Sequence, residues 1–280
     1  MREFHSPAAF RAYCDEERAQ GHRVGFVPTM GYLHAGHLSL MRLARQHADR
    51  VVVSLFVNPT QFGPHEDLDR YPRDLEGDRK KCEGEGVDVL FRPTVEHLYP
   101  TGEQTTVMVH ELSQGLCGAS REGHFRGVCT VVTKLFNIVG PCVAVFGSKD
   151  YQQLQVVRQM AHDLYQPVEI VEGPTVREAD GVAMSSRNAR LNAEERQAAV
   201  VLHRVLLGAR ERVQRRAVSS AALLAEARGL MEAEPLVRVD YVEVRGAESL
   251  REIEEARAGE AVMLVAAFVG DTRLIDNMRL

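Results

Sequence analysis

Two histidines three residues apart, His34 and His37, stand between an apolar run and an amphipathic one. The run before them, from Val24 to Val27, is typical of a buried strand, and apolar residues recur at helical spacing from Leu38 onward. Both imidazoles are therefore predicted on one face of the first turn of a helix. Backbone N–H groups and the positive end of the helix dipole favour an anion at such a turn. The pattern suits a nucleotide phosphate held without a Walker lysine.

A purely structural interpretation of the same stretch stays open at this point. A strand, a turn with glycines and a helix occur in many α/β proteins, and histidine pairs at helical spacing are often solvated or structural. A zinc site is less favoured, because the pair needs a third ligand and no cysteine or histidine cluster nearby offers one. Residues elsewhere in the chain are needed to distinguish these interpretations.

Composition excludes several classes of function. The chain has 280 residues, of which 45% are hydrophobic, and this length favours two domains over one. Its formal net charge of −5 gives no basic footprint for nucleic acid. The five cysteines form no C-x-x-C pair and are typical of reduced thiols in a cytoplasmic protein. The amino-terminal stretch lacks the apolar core of a signal peptide, and no apolar run approaches the roughly 20 residues of a membrane span. We expect a soluble, cytoplasmic protein with no nucleic-acid or membrane partner.

Short apolar strands alternate with helical segments over residues 1–176, and this alternation predicts an α/β fold, a doubly wound Rossmann-like domain with a parallel sheet. A change of composition near residue 176 marks a boundary, and residues 177–280 are predicted to form a smaller α+β domain. The predicted strands are Arg23–Thr29, Val51–Val57, Val87–Phe91, Val143–Phe146, Val168–Val171, Arg238–Val244, Ala261–Val269, Arg273–Asn277 and a short one at Thr105–Val109. The predicted helices include His34–Ala48, Gly127–Val139, Tyr151–Tyr165, Ala193–Arg215, Ser219–Ala233 and Ser249–Ala256.

Four polar clusters fall at or beyond the predicted carboxyl ends of strands, where open parallel sheets bind ligands. Taken singly, each is equally well explained as a turn or a helix cap, but their placement on one rim favours a phosphate site. Lys149 can reach a phosphate as a point charge, and Arg187 can hold one through two hydrogen bonds. Neither a G-x-G-x-x-G after a strand nor a P-loop motif is present. The clusters are Met30–His37, Asn58–Gln61, Gly147–Gln153 and Ser185–Arg187.

The same stretches carry a resemblance to a known family. The motifs that carry it are PTMGYLHAGH (Pro28–His37), VNPTQF (Val57–Phe62), YPRD (Tyr71–Asp74), GHFRGVCTVVTKLFNIV (Gly123–Val139), FGSKDYQQL (Phe146–Leu154), DGVAMSSRN (Asp180–Asn188) and RLIDN (Arg273–Asn277). With these motifs the chain resembles the pantothenate synthetase (pantoate–β-alanine ligase) family of the nucleotidyltransferase superfamily, which also includes class I aminoacyl-tRNA synthetases. A histidine turn alone would indicate only the superfamily, but the motifs together span nearly the whole chain in order.

The resemblance implies an ATP-dependent ligase that joins pantoate to β-alanine through a pantoyl-adenylate and releases pyrophosphate and AMP. It gives His37 a proton-donor role, although stabilisation of charge fits equally well on physical grounds. The residues implied to be catalytic are His34, His37, Lys149, Ser185, Ser186 and Arg187. Those implied to line the ATP site are Met30, Gly31, Tyr32, Leu33, His34, Ala35, Gly36, His37, Gly147, Ser148, Lys149, Asp150, Val176, Met184, Ser185, Ser186 and Arg187.

The resemblance also implies which residues hold the small substrates. Gln61 and Gln153 are expected to bind pantoate, with Asn58 and Tyr71 in support. Neutral amides suit this substrate, because they donate to its carboxylate and accept from its hydroxyls without an ion pair that would weaken the carboxylate as a nucleophile.

A magnesium ion, a lid and a dimer follow from the same resemblance. Mg²⁺ is expected to bridge the ATP phosphates with few protein ligands. Asp78 is the predicted protein contact, although Gly77 interrupts the adjacent acids that the family often shows. The carboxyl-terminal domain is expected to act as a lid that brings Arg187 onto the phosphates, and the protein is expected to be a homodimer.

Two alternatives share the histidine turn. A nucleotidyltransferase that makes a dinucleotide or a CDP-linked product should lack the amide pair of Gln61 and Gln153 and carry a pocket for a phosphate-bearing acceptor. A non-enzymatic nucleotide-sensing module should share the fold and tolerate loss of the charged groups. Exchange of pyrophosphate into ATP in the presence of pantoate separates the ligase from both.

Overall fold

The computed structural model describes residues 1–64, 66 and 68–280. The chain divides into two compact units. The first comprises Met1–Ser148 and Gln153–Pro174, and the second comprises Lys149–Gln152 and Thr175–Leu280. The second unit therefore includes a short segment that the predicted division at residue 176 assigns to the first domain.

The first unit is built on a six-stranded sheet of order β1-β4-β3-β2-β5-β6, in which every neighbouring pair is parallel. Since β2 pairs with β3 on one side and with β5 on the other, the strand order reverses at β2, and ligands bind at such a switch point. The strands are β1 (Arg2–Phe4), β2 (Val24–Thr29), β3 (Arg50–Leu55), β4 (Val89–Phe91), β5 (Cys142–Gly147) and β6 (Val168–Gly173). The helices are α1 (Pro7–Ala19), α2 (Ala35–His47), α3 (Leu75–Gly84), α4 (Val95–Leu98), α5 (Leu116–Ser120), α6 (His124–Val139) and α7 (Tyr151–Asp163).

Helices cover both faces of this sheet. Consecutive residues of β2 point to opposite faces: Phe26 packs edge-on against Phe136 of α6 with ring centroids 6.5 Å apart, whereas Val27 shares a core cluster with Met41 of α2. Both residues are completely buried. The continuous apolar run of β2 is thus typical of a parallel strand covered on both sides, and the predicted doubly wound sheet is confirmed.

The second unit is a smaller α+β structure. Its main sheet is antiparallel with the order β11-β10-β8, and β7 pairs with β9 in a separate two-stranded sheet. Leu206, Met231 and Met263 are among the largest buried side chains of its core. The elements are α8 (Ala193–Arg215), β7 (Val218–Ser219), α9 (Ser220–Glu232), β8 (Val237–Gly246), β9 (Glu255–Ala256), β10 (Ala261–Val269) and β11 (Thr272–Arg279). The predicted fold class of the carboxyl-terminal region is confirmed.

The helix predicted at Ser249–Ala256 is wrong. Leu250 has a φ of +52°, in the left-handed region, and a residue in that region ends a right-handed helix. Arg245 and Glu252 then form an isolated antiparallel bridge, and the chain enters β9. The segment is a connection between two strands, and the spacing of its apolar residues alone does not distinguish such a connection from a helix.

The edge of the first sheet also differs from expectation. No strand forms at Thr105–Val109, where the Val107 N–H donates to the Thr130 hydroxyl at 3.0 Å. Conversely, β1 is a strand that the sequence does not predict. Its Arg2–Phe4 segment is too short for a periodic signal, and its strand character comes from pairing with β4.

The five cysteines are all buried and free of disulfides. Burial raises the pKa of Cys14, Cys82 and Cys142 to about 12, which keeps these thiols protonated and unreactive. The reduced state of the thiols stays a prediction. Across the described ranges, no helix has the length and apolar character needed to cross a membrane.

Candidate active site

The turn between β2 and α2 has an unusual backbone. Gly31 has a φ of +86° and Tyr32 a φ of +52°, so two left-handed residues follow each other. For a residue with a side chain this conformation costs about 1 kcal/mol. Leu33, the next residue, is buried in the core cluster that also contains Met41, and this apolar side chain anchors the turn to the sheet.

His34 and His37 together cap the start of α2. The Nδ1 atom of His34 accepts from the Gly36 N–H at 3.2 Å, and Nδ1 of His37 accepts from the His34 N–H at 3.2 Å. The ring centroids lie 4.1 Å apart. Because each Nδ1 accepts a hydrogen bond, the proton of each neutral imidazole is on Nε2. The predicted placement of both rings at the first turn is confirmed, and the pair adds two Nε2–H donors to the positive end of the helix.

Asp78 of α3 contacts the backbone of this turn. Its carboxylate accepts from the Tyr32 N–H at 2.8 Å and from the Leu33 N–H at 2.6 Å, and the residue is only 3% exposed. Burial raises the pKa of Asp78, and the two N–H groups offset part of that rise. Among the described residues, no group of three or more His, Cys, Asp or Glu side chains is arranged to hold a metal ion. A magnesium contact for Asp78 therefore stays a prediction.

A cavity of about 300 Å³ borders the histidine turn. Met30 and Tyr32 line it after β2, Val57 after β3, and Arg92 and Thr94 after β4. The cavity thus lies at the carboxyl ends of three neighbouring parallel strands, where ligands of this fold class bind, and its volume suits a small molecule.

Asn58 and Gln61 form a buried amide pair after β3. Nδ2 of Asn58 donates to Oε1 of Gln61 at 3.1 Å and to the Gly127 carbonyl at 3.2 Å. Oδ1 of Asn58 accepts from the Tyr99 hydroxyl at 2.8 Å. Helix α6 can approach this closely only because Gly127 has no side chain, since a Cβ there would lie 2.3 Å from the Thr60 carbonyl oxygen. Hydrogen bonds on both sides fix the amide pair.

The side chain of Gln61 joins the amide pair to the histidine turn. Its Nε2 donates to the sulfur of Met30 at 2.9 Å, so the clusters after β2 and β3 meet at one edge of the sheet as predicted. Tyr71 is buried with its ring 5.9 Å from that of Phe62. Gln153 lies half-buried in the first turn of α7.

A charged network supports Gln61, and its residues are absent from the predicted site. The Gln61 carbonyl accepts from Nδ1 of His124 at 2.9 Å and from Arg121 at 3.3 Å. Arg121 also donates to both carboxylate oxygens of Glu66, at 2.8 and 2.6 Å. Burial alone would raise the pKa of Glu66, but the Arg121 guanidinium lowers it below its ordinary value. His124 falls in the motif GHFRGV, the one sequence signal that points to this network.

The segment after β5 contains four of the predicted ATP contacts, Gly147 to Asp150. Ser148–Asp150 forms a short 3-10 turn before α7. The Ser148 hydroxyl donates to the Gly173 carbonyl at 3.0 Å within the first unit. The carbonyl of Lys149 accepts from Nδ2 of Asn277 at 2.7 Å within the second unit. Polar contacts thus hold the two adjacent residues in the middle of the segment.

The predicted Ser/Arg segment follows a hairpin in the second unit. The Met184 N–H donates to the Val176 carbonyl at 2.9 Å, so two predicted nucleotide contacts pair directly. The Ser185 hydroxyl accepts from the Arg187 N–H at 3.2 Å and caps the 3-10 helix Ser186–Arg190. Local hydrogen bonds therefore give the three predicted catalytic residues of this segment a defined backbone.

Ion pairs fasten this hairpin to α8 and β11. Arg196 of α8 binds Glu178 and Asp180 and lowers the pKa of both carboxyl groups. Arg177 donates to both carboxylate oxygens of Asp276 at 2.6 and 2.9 Å. Asn277, the next residue of β11, donates to the Lys149 carbonyl. Strand β11 therefore contacts both the hairpin at Arg177 and the segment that contains Lys149.

The parallel sheet, its switch point at β2, the histidine-capped helix and the adjoining amide pair define a Rossmann-like α/β protein with a candidate ligand site at the carboxyl ends of its strands. The family model of pantoate-beta-alanine ligase matches residues 2–279. The chain belongs to the pantoate-beta-alanine ligase family, a family of ligases.

Relatives support this membership over nearly the whole chain. Pantothenate synthetase from Pelotomaculum thermopropionicum is 53% identical over 267 residues, which cover 95% of this chain and 94% of the relative. Pantothenate synthetase from Heliobacterium modesticaldum is 53% identical over 278 residues, which cover 99% of each chain.

Solved structures agree in fold. The crystal structure of pantothenate synthetase from Thermus thermophilus has a TM-score of 0.93 and 49% identity, covering 100% of this chain and 99% of that one. Pantoate-beta-alanine ligase from Francisella tularensis, solved with beta-gamma ATP and β-alanine, has a TM-score of 0.82 and 31% identity, covering 100% of this chain and 97% of that one. The family expected from the sequence motifs is thereby confirmed.

Proposed function

We propose that this chain joins pantoate to β-alanine at the expense of ATP, with a pantoyl-adenylate as the intermediate and with pantothenate, AMP and pyrophosphate as products. The observation that carries the proposal is the hydrogen bond between Nε2 of Gln61 and the sulfur of Met30. It joins an amide pair suited to a hydroxy acid to a histidine-capped helix suited to a phosphate. Family membership and the ATP and β-alanine named for the Francisella relative support the same assignment.

The first step is adenylation. The pantoate carboxylate attacks the α-phosphorus of ATP, the bond to the bridging oxygen of pyrophosphate breaks, and negative charge builds on the phosphate oxygens. Positioning and electrostatic stabilisation dominate such a step. We assign the stabilisation of this charge to the Nε2–H donors of His34 and His37 in the first unit. In the second unit we assign it to Lys149 and the Ser185–Arg187 segment.

His37 serves this step as a hydrogen-bond donor rather than as an acid. Its Nδ1 accepts the His34 N–H, so the neutral ring carries its one proton on Nε2. A neutral imidazole is too weak an acid to give that proton to pyrophosphate, and protonation of Nδ1 would break the helix cap. We therefore assign stabilisation of charge to His37 in place of the proton-donor role that the resemblance implies.

Pantoate is assigned to the amide groups, and β-alanine to the second step. Gln61 and Gln153 donate to the pantoate carboxylate and accept from its hydroxyls, while Asn58 fixes the Gln61 side chain and Tyr71 supports the adjoining loop.

The neutral amine of β-alanine then attacks the acyl carbon of the adenylate. AMP leaves with the electron pair of the broken C–O bond, and the nitrogen loses a proton to solvent.

ATP and Mg²⁺ complete the proposed site. ATP is assigned to Met30–His37 in the first unit, to Gly147–Asp150 after β5, and to Val176 and Met184–Arg187 in the second unit. Magnesium supplies neutralisation of phosphate charge when bound. The donor set fits a metal carried mainly by phosphate and water, because the carboxylate of Asp78 already accepts two backbone N–H groups.

Pyrophosphate exchange tests the proposal. The purified chain with ATP, Mg²⁺ and pantoate, but without β-alanine, is expected to exchange labelled pyrophosphate into ATP. A phosphate-bearing acceptor in place of pantoate is expected to give no exchange, which separates the ligase from other nucleotidyltransferases. Absence of exchange, together with absence of pantothenate when β-alanine is added, would overturn the proposal.

Two substitutions test the assigned groups. His34→Ala and Lys149→Ala are each expected to lower the exchange rate by about 10²-fold or more, since each removes a donor to the transition state. His47→Ala, in the last turn of the same helix α2, is the matched control and is expected to leave the rate unchanged. A near-normal rate in either test variant would remove that residue from the mechanism.

Three further properties predicted from the sequence are proposals as well. We propose a homodimer, which light scattering coupled to size-exclusion chromatography would test. We propose a cytoplasmic location, which cell fractionation would test. We also propose that residues 177–280 act as a lid, which predicts slower proteolysis of the Ser185–Arg187 segment when ATP is present.

A further inference from the structure

Asp78 differs from the acids around it. It is only 3% exposed, whereas Glu76 on the same helix is exposed. One of its oxygens accepts from Tyr32 and the other from Leu33, residues that precede it by 46 and 45 positions. Both hydrogen bonds are charge-assisted, the stronger class of hydrogen bond. Each oxygen of the carboxylate therefore accepts one backbone N–H of the histidine turn.

The turn needs this support because of its own geometry. Gly31 and Tyr32 are left-handed, and the N–H groups of Tyr32 and Leu33 take no part in the sheet or in α2. A buried N–H group without an acceptor is strongly unfavourable. Gly31 leaves room for the carboxylate, since a Cβ there would lie 3.0 Å from Oδ2 of Asp78. His34, which follows Leu33 directly, is the N-cap of α2.

We propose that Asp78 is a positioning residue for the histidine pair. Its carboxylate holds the N–H groups of Tyr32 and Leu33, fixes where α2 begins, and so aims the Nε2–H donors of His34 and His37. This inference rests on the proposed function, which assigns those donors to ATP. Asp78 also lines the cavity beside the turn, and in this proposal it acts through the backbone N–H groups that it holds.

The bonding pattern argues against a direct metal contact. Magnesium binds carboxylate lone pairs and demands near-ideal octahedral geometry. Each oxygen of Asp78 already faces a backbone N–H, and the positive ends of these groups repel a cation. Asp74, the first acid of this segment, caps α3 through the Gly77 N–H at 3.0 Å. Both side chains thus already serve as acceptors for backbone N–H groups.

The test compares Asp78→Asn with Glu76→Gln, which makes the same change of charge at an exposed position of the same helix. Asparagine keeps the shape and one acceptor oxygen, but sets an NH₂ group against a backbone N–H, so one of the two bonds is lost. We expect the kcat of pyrophosphate exchange to fall about tenfold to 100-fold in Asp78→Asn, because the donors are misplaced. The KM for ATP and the half-saturating Mg²⁺ concentration are expected to stay within about twofold. Glu76→Gln leaves all three unchanged.

Amide hydrogen exchange gives a readout that does not depend on activity. In Asp78→Asn without substrates, the peptide covering residues 30–37 is expected to exchange faster, while the peptide covering residues 38–47 keeps its protection. A wild-type protein without pyrophosphate exchange would overturn the proposed function but would leave this structural result intact. A partial unfolding of the whole unit would instead raise exchange in both peptides.

Asp78→Glu keeps the charge but moves the carboxylate by one methylene, and it provides a second variant if asparagine prevents folding. The same changes are expected with a smaller amplitude. A loss of rate that added Mg²⁺ restores would make Asp78 a metal contact and would overturn the proposal. Unchanged kcat together with unchanged amide exchange at residues 30–37 would overturn it as well.

Discussion

The side chain of Asn277 holds the main chain of Lys149. Nδ2 of Asn277 donates to the Lys149 carbonyl at 2.7 Å, although the two residues are 128 positions apart. Asp276, the preceding residue, takes both hydrogen bonds from Arg177 and is 3% exposed. The last strand of the chain therefore positions a lysine that the proposed mechanism uses, from within the second unit.

Loss of this contact is expected to slow adenylation. Asn277→Ala removes the donor to Lys149 and lets the segment after β5 shift, and small displacements of a catalytic group are costly. We expect kcat for pyrophosphate exchange to fall about tenfold, with the KM for pantoate unchanged. Asn137→Ala, at an exposed position of α6, is the control. Equal rates in the two variants would contradict the positioning role.

Two substitutions of His37 separate hydrogen bonding from proton transfer. His37→Asn keeps an acceptor near the Nδ1 position and so retains the helix cap, but it has no donor at the Nε2 position. His37→Gln keeps an N–H near Nε2 and loses the cap. We expect His37→Asn to lose about 10²-fold or more in exchange rate, and His37→Gln to lose less rate but more thermal stability. Equal loss of rate in both variants would contradict a role limited to hydrogen-bond donation.

Gly127→Ala is expected to disturb the amide pair. Its Cβ would lie 2.3 Å from the Thr60 carbonyl oxygen and 2.7 Å from Cα of Gln61, so α6 has to move away. We expect about 1–3 kcal/mol of destabilisation and a higher KM for pantoate. Gly208→Ala in α8 is the control, since a Cβ there meets nothing within 4 Å and should stabilise the helix by up to about 1 kcal/mol. Urea unfolding and exchange kinetics measure both effects, and equal stability of the two variants would contradict the steric argument.

The ion pair of Glu66 and Arg121 predicts a pH dependence of stability. The folded pKa of Glu66 is lowered, so its ionised form stabilises the fold above the ordinary glutamate pKa of about 4.3. That contribution is lost as the pH falls through the lowered folded pKa. We expect Glu66→Gln to cost about 1–2 kcal/mol at about pH 7 and progressively less in acid.

Urea unfolding of the wild type and of Glu66→Gln at several pH values measures this difference. Glu248→Gln, an exposed acid of the second unit, is the control and should follow the wild type at every pH. A stability difference between wild type and Glu66→Gln that stays constant from neutral to acid pH would show that the ion pair does not act through the ionisation of Glu66.

Local patterns were sufficient for the fold class and for the histidine turn. The central strands of the first unit consist mostly of apolar residues, and α2 repeats its apolar residues at helical spacing, so both can be predicted without knowledge of contacts. The same holds for the placement of His34 and His37, which depends only on where one helix begins. The family motifs extend this to Asn58, Gln61 and the Ser185–Arg187 segment, but their roles stay predictions.

Contacts between distant segments could not be predicted in this way. The bonds of Glu66 and Arg121 to each other, and of Arg121 to the Gln61 carbonyl, depend on how a loop packs against α6. The failed helix at Ser249–Ala256 has the same origin, because its conformation is set by strand pairing rather than by its own periodicity.

The sequence by itself determined that a parallel α/β sheet would place a histidine-capped helix at the end of its first central strand, because strand and helix periodicity are local properties. Only the tertiary structure decided what holds the site residues in place. Asp78 supports the turn of Tyr32 and Leu33, and Asn277 supports Lys149, through bonds that span 45 to 128 positions. Such bonds form because packing brings a buried carboxylate or amide beside backbone groups that need a partner, and no spacing along the chain records that requirement.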